Sequence, residues 1–578
     1  MAIELLAQST KTNNPNRDLD SARVRVAQIV SVSGSQAIAL LDRAAPKRDQ
    51  FDEKRIEMGA LMKIRTPECF VVGVVSAISC PIPESDADPQ NQIMIELNLA
   101  GEIPIGGRNQ KLAFNRGLTS LPSVGDAVYL TSRNDLELVY SQPGAATIDV
   151  GKLYLNSGVS ARLLMDDLFG KHFIVVGTTG CGKSSAVCCI LQSALQEHRS
   201  AHIVVLDIHN EYSTAFGGMA ELIDPTNLHL PYWLMNFNEL TVALTTDDVH
   251  RDAEVEILGE AVLASKKRYA GAQSRRLRES SGAIGITVDT PTPFRLSDIT
   301  AFIDERLGRL EKTQSVIPLR RLRNRIDMLV GDPRYGFMFA NMVVEDTMSA
   351  ILGRLFRVPI DGRPVTVINL ATVPAEILDI VISVVSRLAF DLGVWSEGAI
   401  PTLLVCEEAH RYAPSANDGK FMPTRKALAR IAKEGRKYGI SLALVTQRPS
   451  ELDQTILSQC STVIAMRLAT DRDQQVIRAN TNEGALDLLD FLPLLGEREA
   501  IILGQGVIMP MRIKFRDIGS AKCKTSAYRS FSSAWKEPQI NGEVLDDIVR
   551  SWRRARRPEH SAQTGSQATA DNIPPVIG

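Results

Sequence analysis

The chain has 578 residues, enough for three or four domains of ordinary size, and its 44% hydrophobic content is that of a globular chain, which excludes a largely disordered one. A formal net charge of −2 excludes a global basic field, so a polyanion-binding surface has to be local, such as a channel lined by one face. No run of 18 or more apolar residues occurs, the N-terminus has no basic segment before an apolar stretch, and the eight cysteines include no C-x-x-C pair; a cytoplasmic protein with buried, reduced thiols and no membrane partner is expected.

In chain order, residues 1–150 hold short alternating runs such as Val24–Val30, Phe70–Val75 and Ile93–Leu99, separated by Gly, Pro, Asn and Asp clusters. That texture predicts a small N-terminal antiparallel β-barrel. Residues 151–244 and 346–520 alternate apolar strand-like runs (Ile203–Leu206, Val365–Leu370, Leu403–Cys406, Ser441–Val445) with amphipathic helices, the mark of an α/β fold with a parallel sheet. Between them, 245–345 turns helical and charged, with Lys266–Arg268, Arg275–Arg278 and Arg320–Arg325, and is expected to be an inserted helical subdomain. Those charged runs read as solvated or subunit-facing, with DNA contact as the other reading. Residues 521–578 are expected to form a C-terminal brace segment and, from Glu559, a disordered Gln-, Ser- and Pro-rich tail.

The residues Gly177-Thr178-Thr179-Gly180-Cys181-Gly182-Lys183-Ser184 fulfil G-x-x-x-x-G-K-[ST] between an apolar strand-like run, His172–Val176, and a helical run from Ser185. This is the context of a phosphate loop in a P-loop NTPase, RecA-like core. Loop amides and the helix N-terminus would face the phosphates of ATP, Lys183 would reach the β/γ-phosphates, and the Ser184 hydroxyl would ligate Mg²⁺. A second strand-like run ends in adjacent acids, Glu407 and Glu408. The first can hold the Mg²⁺ shell while the second faces the attacking water as base or orienter. A third, Ser441–Val445, ends in Thr446 and Gln447, which places Gln447 where a γ-phosphate sensor would sit.

Two further segments each admit two readings. Arg436 and Lys437 close a basic helix, either as complements to its dipole or, for Arg436, as a finger inserted into a neighbouring subunit's site. Lys420, Arg425 and Lys426 in the segment after the paired acids either track DNA phosphates as a pore loop or belong to an ordinary basic surface loop.

Together the phosphate loop, Asp207-Ile-His-Asn-Glu211, Glu407-Glu-Ala-His-Arg, Ala432-Lys-Glu-Gly-Arg-Lys-Tyr-Gly and Thr446-Gln-Arg-Pro resemble the HerA branch of the FtsK/HerA motor ATPases. The resemblance runs over nearly the whole chain and includes the barrel. It implies a homohexameric ring that hydrolyses ATP between subunits and threads double-stranded DNA, with Glu408 catalytic, Gln447 the sensor and Arg436 the finger. Asp207 and Glu211 match the family's acidic motif near the nucleotide; Glu407 stands where the family usually has Asp. Family members work with a partner, a NurA nuclease in DNA-end processing or a nuclease or sirtuin-like NADase in anti-phage systems. A DNA motor feeding such an effector is the first expectation, and an assembly or regulatory ATPase ring that switches the effector is the alternative. The chain has no nuclease or NADase motif of its own.

Overall fold

A computed structural model describes residues 25–42, 56–80, 93–105, 113–246, 249–277, 285–308, 316–339, 344–415, 422–481, 483–519, 545–546 and 548–550. The described residues from 25 to 519 belong to one compact unit; a second unit, from 526 onward, contributes only a short helical stretch to the described residues.

Six strands close a barrel in the order β1-β2-β5-β4-β3-β6: β1 (Arg25–Ser33), β2 (Gln36–Leu41), β3 (Leu61–Arg65), β4 (Cys69–Ser79), β5 (Met94–Pro104) and β6 (Ala127–Leu130). Closure leaves no free edge. Val26, Ile29, Ile64, Val71, Ile95, Leu97 and Val128 point inward as its core, the alternation that the sequence displays. The helix after it, α1 (Arg133–Val139), begins with a capping box on Ser132 and Asp135, and Asp135 also receives the buried Lys63 ammonium at 2.8 Å. Among the described cysteines no disulfide occurs; Cys80, just past β4, is exposed rather than buried.

The second architecture is an 11-stranded sheet in the order β11-β12-β10-β13-β14-β9-β15-β16-β17-β7-β8. Its strands are β7 (Thr147–Leu153), β8 (Ser160–Leu164), β9 (Phe173–Val176), β10 (His202–Asp207), β11 (Ala220–Ile223), β12 (Val365–Asn369), β13 (Thr402–Cys406), β14 (Ile440–Thr446), β15 (Thr462–Ala465), β16 (Glu499–Gly504) and β17 (Met511–Phe515). From β11 to β15 all neighbours are parallel; β16, β17, β7 and β8 extend the sheet antiparallel. This is a P-loop NTPase, RecA-like core. Residues of β9 alternate between two cores, Ile174 and Val176 on one face and Phe173 and Val175 on the other, so its continuous apolar run is the run of a strand buried on both sides.

On one face lies α2 (Lys183–Glu197); on the other lie α3 (Phe237–Leu244), α4 (Arg251–Leu277), α5 (Leu296–Gly308), α6 (Val316–Gly331) and α7 (Ala375–Trp395). Between β13 and β14 runs α8 (Met422–Glu434), packed on α7. The charged run on α6 is largely spoken for within the chain. Arg321 pairs with Glu254, Arg323 with Asp304 and Asp327, and Arg325 donates to Ala243 O, while Leu319, Leu322, Ile326 and Leu329 face the core.

Candidate active site

Between Val176 and Lys183 the chain must reverse from strand to helix in six residues, and two glycines make the turn possible. A Cβ on Gly177 would lie 2.6 Å from Cys181 Sγ and 2.9 Å from Met466 Cβ. Gly182 has φ 101°, in the left-handed region that side chains avoid, and leads directly into α2. Neighbouring strands pin the loop: Gly177 N–H donates to Thr446 O (3.3 Å), Thr178 N–H to Arg467 O (2.8 Å), and Cys181 O accepts from Arg498 N–H (2.9 Å). Thr179 and Gly180 are exposed, Lys183 and Ser185 half-buried, and Cys181 fully buried. The first-turn amides of α2 have no intrahelical partners and carry the positive end of its dipole, so loop and helix together present an anion site.

Strands β13, β14 and β10 deliver polar groups to the same edge of the sheet. Asp207, fully buried at the end of β10, accepts from Glu211 N–H (3.0 Å) and Tyr212 N–H (2.9 Å). That closes the turn through Asn210, at φ 59°, and brings the Glu211 carboxylate onto the Ser184 hydroxyl. Asp207 is therefore occupied with backbone, and Glu211 is the acid that meets the phosphate loop. Glu407 accepts from Ile208 N–H (3.2 Å) and His209 N–H (3.5 Å). Burial, with Asp207 and Glu211 close by, pushes its carboxyl well above the usual range.

Glu408 adopts the left-handed conformation, φ 47°, which a non-glycine residue holds only when its surroundings impose it. The next residues form a short 3₁₀ turn that returns His410 toward it; Glu408 Oε2 lies 3.3 Å from His410 Nδ1 and, though buried, makes no hydrogen bond within the chain. His410 Nδ1 instead shares a hydrogen bond with Thr446 Oγ1 at 3.0 Å. Burial pulls the imidazole's pKa down, against the opposing pull of Glu408. One residue on, Gln447 Oε1 accepts from the Thr179 hydroxyl at 2.5 Å. The arrangement links loop, sensor position and acid through adjacent strand ends.

Arg436 lies elsewhere. It sits in the 3₁₀ turn Gly435–Tyr438 before β14, exposed, at the end of the sheet opposite the phosphate loop. Lys437, also exposed, stacks on Tyr438 at 5.4 Å. Arg425 is half-buried with its guanidinium 3.7 Å from Asp453, Lys426 is exposed, and Lys420 lies outside the described residues. His410 was within reach of the sequence, two positions after Glu408. Arg467 and Arg498, whose backbones hold the loop, carry no local signal, because the chain beside β15 and β16 reaches it from hundreds of residues downstream.

The polar side chains here are oxygen donors: the Ser184 hydroxyl on the Glu211 carboxylate, with Glu407 close to Glu211 and Asp207. Hard oxygen donors crowded into a buried, mutually repelling set fit a small divalent cation such as Mg²⁺. Among the described residues no three His, Cys, Asp or Glu side chains form a cage by themselves, which accords with an ion that takes much of its shell from phosphate and water.

The family model for "Helicase HerA, central domain" matches residues 148–389, the stretch from β7 through the phosphate loop and the helical insert into α7. The DNA double-strand break repair helicase HerA of Pyrococcus furiosus is 25% identical over 470 residues, covering 75% of this chain and 78% of the relative. The central part of the chain thus matches the HerA central domain, and three quarters of the chain is similar to a HerA helicase. The helicase of the same name from Sulfurisphaera tokodaii is 25% identical over 480 residues, 80% of this chain and 89% of that HerA protein. Among solved structures, VirB4 of Thermoanaerobacter pseudethanolicus matches 65% of this chain and 97% of its own at 16% identity, with a TM-score of 0.44.

Proposed function

We propose that the protein is an ATP-hydrolysing DNA translocase or helicase that works as a homohexameric ring. The observation that carries the reading is the Glu408 carboxylate: one oxygen is buried and unpartnered, at the sheet edge that also bears the phosphate loop, Glu407 and Gln447. An uncompensated buried acceptor is costly in a structural role and useful as the partner of a water proton.

In this mechanism the loop amides and Lys183 hold the triphosphate. Ser184, Glu407 and Glu211 would hold Mg²⁺, which when bound neutralises charge on the β- and γ-phosphates. Glu408 takes the proton of the attacking water beside His410, whose ring is held by Thr446, and Gln447 reads the γ-phosphate through the Thr179 side of the loop. Arg436 would complete a neighbour's site. Seven residues of β14 separate it from the loop end, roughly 20 Å at about 3.3 Å per residue, beyond the reach of its side chain within one subunit. The HerA relatives, named as DNA double-strand break repair helicases, support DNA as the substrate, and double-stranded DNA is the proposed track. A separate effector, a NurA-like or other nuclease or a sirtuin-like NADase in DNA processing or anti-phage defence, is the proposed partner.

The test mixes two inactive proteins. Arg436→Ala keeps its loop and Lys183→Ala keeps its arginine, so mixed rings contain some intact sites and regain ATPase activity after subunit exchange. Mixed rings with no activity at any ratio would refute the shared site.

A further inference from the structure

A cavity of about 770 Å³ lies where the barrel meets the antiparallel end of the sheet. The barrel supplies Leu61 and Val74 to its wall, α1 supplies Tyr140, and the core supplies Tyr154, Phe491 and Arg512. Sites for small molecules run to roughly 300–1,000 Å³ and favour junctions of this kind, with apolar and aromatic walls and a few polar groups. The nucleotide edge is a different place: no residue of the phosphate loop, nor Glu407, Glu408 or Gln447, lines this cavity.

Two polar groups of the wall lack acceptors. The Arg512 guanidinium lies 3.5 Å from the Tyr154 ring centroid and 5.5 Å from that of Phe491, and its Nη2 donates to Glu499 at 2.9 Å. Its charge is therefore answered, yet its Nε is buried with no hydrogen-bond partner. The Tyr140 hydroxyl, whose pKa burial pushes up, also makes no hydrogen bond among the described residues. Each is a donor whose burial costs free energy until an acceptor arrives. Because Glu499 already neutralises the guanidinium, a neutral oxygen suits Nε better than a second anion. No strand edge is free in these walls either: β3, β4 and β6 belong to the closed barrel, and β7 and β17 are paired on both sides. An extended peptide would find no backbone to pair with, so recognition falls to side chains.

We infer that this cavity binds a small, uncharged, largely apolar molecule through carbonyl-type oxygens that meet Arg512 Nε and the Tyr140 hydroxyl, and that its occupancy tunes nucleotide turnover. The second clause follows from where the wall leads. Leu488 and Phe491 belong to the segment whose Leu492 O accepts from Leu468 N–H at 3.3 Å, and the adjacent Arg467 O accepts from Thr178 N–H at 2.8 Å. On the other side, Glu499 also accepts from Gly496 N–H at 3.2 Å, in the turn whose Arg498 N–H donates to Cys181 O at 2.9 Å. A molecule that moves Phe491 or draws Arg512 from Glu499 thus acts on two of the backbone contacts that hold the phosphate loop. This regulation rests on the ATPase reading above; the binding site does not.

The probe is prodan, a neutral naphthyl ketone whose emission moves to the blue in apolar surroundings, titrated into the full chain. Binding should saturate at one molecule per chain with a blue shift. Tyr140→Phe, which removes one oxygen, and Arg512→Lys, which keeps a cation for Glu499, should each weaken it by about fivefold or more. Val74→Trp, which fills the cavity, should abolish it. Lys183→Ala should bind the probe within about twofold of wild type, and ATP should not displace it. Saturating prodan should change the wild-type kcat for ATP by about twofold or more and leave that of Val74→Trp unchanged. No saturable binding, binding that all three cavity variants retain, or displacement of the probe by ATP overturns the site. Loss of the probe as the chain is concentrated would put a second copy in the cavity and overturn it as well. Binding as expected with an unchanged kcat overturns the regulation and leaves the site standing, whereas a chain that binds prodan as expected but hydrolyses no ATP sinks the ATPase reading alone.

Discussion

The barrel and the nucleotide edge both bury acids, and they treat them in opposite ways. In the barrel Glu102 is 3% exposed; burial works against its charge, yet the Thr119 amide and hydroxyl (both 2.8 Å), the Cys69 thiol and the Ser120 amide together hold its carboxyl below the usual range. Glu407 is equally buried, but Asp207 and Glu211 face it as further acids and its carboxyl is driven up. A buried charge that has found its donors is part of the scaffold. One left among like charges is waiting for something that arrives later, here a cation and a triphosphate.

The largest effects should come from removing the groups that wait. Lys183→Ala should abolish turnover, and Glu408→Gln should lower kcat by about 10²- to 10⁴-fold while ATP still binds, measured by single-turnover hydrolysis and nucleotide titration. Wild-type hydrolysis by Glu408→Gln would make that buried oxygen a mere defect. The barrel should respond in stability instead. Lys63→Ala strands the buried Asp135 carboxylate and should cost about 3–5 kcal/mol, read from chemical denaturation. Activity per correctly folded molecule should hold.

The smallest effect is the most discriminating. At a pH high enough to ionise Glu407, Glu407→Gln should raise the midpoint temperature of the nucleotide-free protein by about 1–3 °C, since it removes a charge that repels its neighbours, while impairing Mg²⁺-dependent turnover. The two acids also differ in the sign of their pH dependence. Glu102, with a depressed folded value, contributes stability above its unfolded value that is lost as pH falls through the folded one. Glu407, with a raised folded value, contributes stability below its unfolded value that is lost as pH rises through its folded one. Comparing pH–stability profiles of Glu102→Gln and Glu407→Gln with wild type should remove opposite slopes; slopes of the same sign would break the contrast.

Much of this site can be read locally, because a phosphate loop, an acid pair and a polar strand end are each a few adjacent residues. The alternating runs likewise announce the barrel, although nothing local says that β1 closes on β6. What could not be read is division of labour. Asp207 and Glu211 look interchangeable until the fold spends Asp207 on two backbone amides and leaves Glu211 to Ser184. The antiparallel extension was equally hidden: β7 and β17 pair although Gly151 and Phe515 are hundreds of residues apart in sequence.

Strand β9, which opens into the phosphate loop, takes both hydrogen-bonding neighbours from far downstream, Phe173 pairing with Ala443 on one side and Thr462 on the other. At roughly 5–20 residues per second, a ribosome needs about 15–60 s after making β9 to produce either partner. Through that interval the most apolar strand of the sheet has two bare edges in the nascent chain, a template for association with other chains. A fragment ending before β14 should therefore be recovered as aggregate even though it contains the whole phosphate loop.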